Sequence, residues 1–398
     1  MAAKIVRQPN RIALLGAPTS AAALSPGHEA APAALRAAGL AEKLQSIGYE
    51  VNDLGDDPIQ LSKPDEESPR ARNLSGVIAS LNALKPRVEH AVKLGALPVI
   101  LGGDCSIVLA AVAGARRYFR HVGLIYVDRD ADLNTPATTT SGCLDGMVVS
   151  HLTGRGAAEL VRFWGEPPLV REPDLALFGV DRLDPAEEEL LTRSPLRRYP
   201  AAVVQKLGAA AAAQLAFERI HGDSTEFVLH LDVDVIAGFQ ATNSPGSTGL
   251  ILDDVRAALE VFIGKNRLAA IEVTAYNPSR DSDGSGAKLI VELLTDLLRT
   301  RLAALQGDAA SVPVPVPAAA ETPPGPALEA SSEGSTEGAA QPPASSSNEP
   351  AAPAVAPGEA WSSETLESPE SLPAAAEQPR EAMPDNPAAL ESADESSS

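Results

Sequence analysis

Two short acidic runs carry most of the chemistry legible in this chain. Val127-Asp128-Arg129-Asp130-Ala131-Asp132 follows the apolar run Val122–Val127, and Leu231-Asp232-Val233-Asp234-Val235 follows Phe227–Leu231. Residues two apart on a strand share a face. The spacing therefore predicts one ladder of Asp128, Asp130 and Asp132 and a second of Asp232 and Asp234. Carboxylates gathered this way repel one another, and burying them unpaired is very costly. A bound cation is the counter-charge the pattern calls for; the bland alternative is solvated carboxylates at strand ends. Arg129 sits between two of these aspartates and is expected to turn to the opposite face, in a salt bridge beneath the sheet end. His230 shares the face of Asp232 and Asp234 one step deeper. It could ligate only if the site lay about 6–7 Å further in; otherwise it is a hydrogen-bonded histidine behind the ligands or in the core.

A third motif, Gly102-Gly103-Asp104-Cys105, follows the apolar run Leu97–Leu101, and its glycines permit a tight strand-to-helix turn. Both cysteines of the chain, Cys105 and Cys143, belong to this region of interest. They read as small buried hydrophobes, as a metal ligand at Cys105, or as a redox pair. The remaining histidines, His28, His90, His121, His151 and His221, show no ligand spacing, and His151 is expected on a helix, facing solvent or capping.

Positioning such residues is the work of alternating elements. Strands are predicted at Arg11–Leu15, Tyr49–Leu54, Leu97–Leu101, Val122–Val127, Leu175–Phe178, Ala201–Val204, Phe227–Leu231 and Leu268–Val273. Helical patterns lie between them at Ala31–Ile47, Leu74–Leu94, Ser106–Tyr118, Asp184–Thr192, Ala209–His221, Leu252–Ile263 and Ala287–Leu305. This alternation implies an α/β fold, a single three-layer domain over residues 1–306 with a mostly parallel sheet covered on both faces. Sites in such sheets form at the carboxyl ends of strands, where all three motifs fall.

The net charge of −21 is uneven: residues 307–398 carry −15, which leaves −6 for residues 1–306. That segment is rich in Pro, Ala, Ser and Glu and reads as a disordered acidic tail, with a docking segment around Trp361 or Leu366 as the minor alternative. Clustered Lys and Arg are missing, which argues against nucleic acid. No apolar run approaches the roughly 20 residues needed to span a bilayer, and Met1–Asn10 has no apolar signal core. Two cysteines in 398 residues suit a reducing compartment. The expectation is a cytoplasmic protein without membrane or nucleic-acid partners.

Longer motifs sharpen this. Leu15-Gly-Ala-Pro, Leu35-Arg-Ala-Ala-Gly-Leu, Leu101-Gly-Gly-Asp, Asp132-Leu-Asn-Thr-Pro, Thr138-Thr-Thr-Ser-Gly, Gly179-Val-Asp-Arg-Leu-Asp-Pro, Asp232-Val-Asp and Glu272-Val occur in order between Arg11 and Leu302. In these stretches the chain resembles the ureohydrolases, arginase and agmatinase among them, and most of all the arginase branch. The resemblance implies an arginase-like fold and hydrolysis of a guanidino C–N bond with two Mn2+ ions. It places metal ligands at Cys105, Asp128, Asp130, Asp132, Asp232 and Asp234, and Glu272 as the acid receiving the guanidinium. Asn134 and Ser141 would hold a substrate α-carboxylate, and Asp184 with Glu187 the α-amino side. It also implies a small guanidino substrate such as arginine, and a homo-trimer or hexamer.

Departures from the family pattern are equally specific. Cys105 and Asp130 stand where the family has ligand histidines, Asp145 where it has a proton-shuttling histidine, and Cys143 where it has an asparagine. Four carboxylates and two imidazoles set about −4 against +4 from two Mn2+; five carboxylates and a thiolate set about −6. Such an excess keeps some ligands protonated and weakens the metal as a Lewis acid. The thiolate also pulls the preference toward Zn or Fe, whereas the aspartates suit Mn, Mg or Ca. Asp145 becomes a candidate proton carrier or, more simply, a helix-start residue. The competing expectation is a catalytically inactive family member with a structural or regulatory role that still binds a cation.

Overall fold

The computed structural model describes residues 5–220 and 226–310. Eight strands form one sheet: β1 (Arg11–Ala17), β2 (Glu50–Asp56), β3 (Leu97–Gly102), β4 (Val122–Val127), β5 (Leu175–Phe178), β6 (Arg197–Tyr199), β7 (Glu226–Asp232) and β8 (Leu268–Thr274). Their order is β2-β1-β3-β8-β7-β4-β5-β6, and every pair is parallel. β3, β4 and β8 are buried at every position, so both faces of the sheet are covered. This explains why these segments read as continuous apolar runs rather than alternating ones.

The sheet order matters for the site, because β3, β8, β7 and β4 are consecutive neighbours at its centre. Alternate residues of these strands serve two layers. Ile125, Val127, Leu229, Leu231, Ile271 and Val273 enter the main apolar cluster with helices Leu252–Ile263 and Ser285–Ala310. Tyr126, His230 and Glu272 point to the other face. Helix Val108–Ala115 packs against β4, β7 and β8.

Seven of the eight expected strands match in place; the predicted strand Ala201–Val204 is instead the start of helix Ala201–Leu207, and the edge strand is Arg197–Tyr199. Pro200 separates them. It has no N–H to extend a ladder, and its fixed φ suits a helix start. Ala201 and Val204, three apart, are buried while Val203 is exposed, which is a helical pattern. β6 exposes Arg197 and Arg198 and so carries no apolar signature. The long helix expected over Ala31–Ile47 breaks at Gly39 (φ 86°) into Ala31–Ala37 and Leu40–Ser46. The last helix, Ser285–Ala310, passes the expected boundary at 306. The segment 311–398, with the tail and the Trp361 and Leu366 stretch, lies outside the described residues. Among the described residues no helix is long and apolar enough to cross a membrane.

Phe178 at the end of β5 is fully buried, with its ring edge-on to Phe262 at 5.4 Å. Phe178→Ala should cost about 3–5 kcal/mol, measured by urea unfolding. A loss within experimental error would mean that β5 does not pack into the core as described.

Candidate metal centre

A cleft of about 260 Å³ opens over the carboxyl ends of the central strands, and Cys105, Asp128, Asp130, Asp132, Asp145, Asp232 and Asp234 all line it. β3 delivers Cys105 through a turn in which Gly103 lies against other backbone. A Cβ there would sit 2.2 Å from the Thr19 carbonyl oxygen, so glycine is required by space. Asp104 closes the turn: its side chain accepts hydrogen bonds from the backbone N–H groups of Ser106 (3.1 Å) and Ala22 (3.0 Å).

The aspartates do not form strand ladders. β4 ends at Val127, and Asp128 Oδ1 accepts from the Asp130 N–H at 2.7 Å. Asp132 has a positive φ of 49°. Asp232 is the last residue of β7, and its Oδ1 accepts from the Asp234 N–H at 2.7 Å, opening a 3-10 turn over Val233–Val235. Short acidic side chains bond readily to their own backbone two residues on. That local bond bends each run and re-aims every second carboxylate.

The bends separate the acids. Arg182 grips Asp130 with two hydrogen bonds and lies 3.9 Å from Asp234. Arg129 is buried rather than turned beneath the sheet, and its Nη2 donates to Asp234 Oδ2 at 3.1 Å and to the Ser244 carbonyl. Two guanidinium groups therefore offset part of the acidic charge, contrary to the expectation that Arg129 would face away from it. Asp132 accepts from the Tyr126 hydroxyl. Cys105 Sγ donates to Asp232 Oδ2 at 3.1 Å and lies 3.4 Å from Thr274 Oγ1. The Cys105 N–H donates to Asp145 Oδ1 at 2.7 Å.

Glu272 departs from its expected role. It is fully buried in β8, does not line the cleft, and its Oε1 lies 2.7 Å from His230 Nδ1. The register sets Tyr126, His230 and Glu272 side by side on β4, β7 and β8. A carboxylate held there has no opening toward a substrate. Where β8 reaches the cleft it offers Ala275, with a positive φ of 63°.

At the other wall, Asn134 Nδ2 donates to Asp184 Oδ2 at 2.8 Å, and Ser141 Oγ accepts from the Cys143 N–H at 3.2 Å. Both carboxylate oxygens of Glu187 are taken by backbone N–H groups, of Leu133 and Asp184, each at 2.8 Å. Glu187 thus clamps the Asn134 loop to the Asp184 helix start. Both cysteines are free and each has its own partners, with Arg72 Nη1 3.9 Å from the Cys143 thiol. His28, a site residue the sequence reading missed, lines the cleft with neither ring nitrogen hydrogen-bonded. Burial lowers its pKa to about 4 and keeps it neutral. His151 is likewise buried, not solvent-facing, and burial lowers it to about 4.

Burial dominates the acids. It raises Asp128 to about 8, with Asp130 adding to the effect, and Asp234 to about 7, with Asp128 adding. Asp132, Asp145 and Asp232 rise well above the carboxylate range for the same reason. Burial, followed by Asp145, raises the Cys105 thiol. Among the described residues two groups bring their ligand atoms within 4.8 Å of one another: Asp128, Asp232 and Asp234, and Cys105, Asp128 and His230. The first, all oxygen, suits a hard cation such as Mn2+. All six residues expected from sequence as ligands line the cleft, and the two close groups take in four of them. Asp130 is an ion-pair partner of Arg182, and Asp130 and Asp132 fall in neither group.

The arginase family model matches residues 10–299. This chain belongs to the arginase family. It is 28% identical to the arginase of Bacillus caldovelox over 73% of its own length and 99% of that protein, and 31% identical to the Neurospora crassa arginase over 69% and 81%. The crystal structure of the Bacillus caldovelox enzyme superimposes with a TM-score of 0.68 at 27% identity, covering 73% of this chain and 98% of that one. Formimidoylglutamase from Bacillus subtilis, 16% identical with a TM-score of 0.60, shares the fold. The family's members named here are hydrolases, and the eight-stranded parallel sheet is the arginase fold.

The raised acids make a signed prediction. Unfolded, an aspartate titrates near 3.9; folded, Asp128 and Asp234 hold their protons to about 8 and about 7. The folded state then binds more protons, so metal-free protein loses stability as pH rises through this window. Unfolded histidines titrate near 6.5, so the comparison is made above about pH 7.5, where they are largely neutral in both states and do not mask the trend. Urea unfolding after chelation should give lower stability at pH 8.5 than at pH 7.5, and added Mn2+ should abolish the loss. A flat or rising profile without metal would contradict the buried, mutually repelling acids.

Proposed function

We propose that this protein hydrolyses an amidino C–N bond in an amino-acid-like substrate with the help of a divalent cation. The observation that carries this reading is one cleft with convergent carboxylates Asp128, Asp232 and Asp234 on one wall and Asn134, Ser141 and Asp184 on the other. A cation on the first set, Mn2+ or another divalent metal, would supply Lewis-acid activation of water. Asn134 and Ser141 receive the substrate carboxylate, and Asp184 its amino group. Glu187 holds that wall in place through backbone. Asp145, kept protonated by burial and by Asp104, donates to the departing nitrogen.

A second reading has its own support. Arg129 and Arg182 repel a guanidinium, and Glu272 is withdrawn behind the sheet. These features favour a member that binds a cation and a small ligand without turnover. Assembly as a homo-trimer or hexamer belongs to either reading.

The test is release of urea or ammonia from L-arginine and other amidino amino acids with Mn2+, Ni2+ or Zn2+ supplied. Metal-dependent turnover is expected, with Asp145→Asn lowering kcat by about 10²–10⁴. Folded protein that binds cation yet turns over none of these substrates with any metal would establish the second reading instead.

A further inference from the structure

We propose that the inner end of the centre is a distinct, softer cation site, made by Cys105 Sγ, an Asp128 carboxylate oxygen and His230 Nε2, with Asp232 beside it as the fourth donor. The family resemblance placed no ligand at His230. The site rests on the reading above only in that Asp128 and Asp232 serve both groups.

Four observations converge. The three donor atoms already lie within 4.8 Å of one another, and all three residues are buried. Asp232 Oδ2 is 3.1 Å from the Cys105 sulfur, on the same side. His230 is fully buried, and its Nε2 has no hydrogen-bond partner although Asp128 Oδ2 is 3.9 Å away. Buried polar atoms are rarely left alone in native proteins. Finally, Glu272 holds His230 from behind at Nδ1, and Tyr126 stacks flat on the ring at 4.0 Å and 0°.

That last pair gives the ring its chemistry. Glu272 accepts the Nδ1 proton, so Nε2 presents a lone pair toward Asp128. Histidines that bind metals commonly donate their other nitrogen to a carboxylate, which fixes tautomer and orientation. Glu272 is a positioning residue here. It accounts for a carboxylate that cannot reach the cleft. The donor set of sulfur, nitrogen and oxygen favours Zn2+ or Fe2+ over Mn2+. Binding exchanges the thiol proton, together with the protons held on the ligating carboxylates, for the cation, forming a metal–sulfur bond and releasing these protons to solvent. The lost loop imidazoles are thus answered by one rising from β7, a strand step deeper than the outer acids.

Full-length protein, stripped of metal by a chelator and titrated with Co2+, tests the site without reference to turnover. A thiolate-to-cobalt charge-transfer band and the intense visible bands of four-coordinate Co2+ should appear, and Zn2+ should displace them. Cys105→Ser should remove the charge-transfer band. Glu272→Gln should weaken Co2+ binding about 10–100-fold, and His230→Gln at least as much. Circular dichroism of each metal-free variant checks folding; if His230→Gln does not fold, Cys105→Ser and Glu272→Gln decide alone. A six-coordinate spectrum without a thiolate band, or unchanged affinity in folded Glu272→Gln, overturns the site. Turnover without the band would sink this inference and leave the hydrolase reading intact; the band without turnover would do the reverse.

Discussion

Acids crowded at the ends of parallel strands must each find a proton, a cation or a hydrogen bond, and this requirement organises the centre of the protein. The sheet order brings β3, β8, β7 and β4 together. The ends of β4 and β7 then deliver aspartates into one buried space, where neighbouring charges raise one another's pKa. The chain meets the requirement piecemeal. Arg182 takes Asp130, Arg129 takes one oxygen of Asp234, Tyr126 takes Asp132, and the Cys105 thiol takes Asp232. Asp128 is left with backbone on one oxygen and the lone pair of His230 nearby on the other.

Seen this way, the differences from the arginase pattern form one coupled change. An aspartate in place of a neutral imidazole at position 130 adds negative charge, and Arg182 supplies the matching positive charge directly. A thiol stands at position 105 where the resemblance expects an imidazole, and the buried His230 places a ring nitrogen within reach of it from below. Glu272, which the resemblance assigned to the substrate, faces His230, its direct register partner on the neighbouring strand. Each substitution is intelligible only beside its partner.

The fold was largely legible because a parallel sheet buried on both faces announces itself as apolar runs. β6 escaped notice because an edge strand of Arg-Arg-Tyr buries almost nothing. The residues of the centre were legible as types, since no structural role easily explains so many aspartates after apolar runs. Their directions were not. Period-two reasoning holds inside a strand, and here the strand stops at Val127 or Asp232, after which side chain–backbone hydrogen bonds set the course. Arg182 stood in a motif already singled out, but its partner lies 52 residues away. His28 gave no signal at all, because burial against a cleft wall leaves no periodic trace.

The edges of the sheet have a consequence for how copies of this molecule meet. A bare parallel edge is a template for adding strands from another chain. At one end, β6 offers only Arg197–Tyr199, with two exposed arginines. At the other, β2 carries Asp53 and Asp56, both held by Arg36. A strand laid along either edge would find fixed charge beside it, and along β6 only a three-residue ladder to join. Fixed charge at both ends therefore discourages growth of the sheet without its being rolled into a barrel.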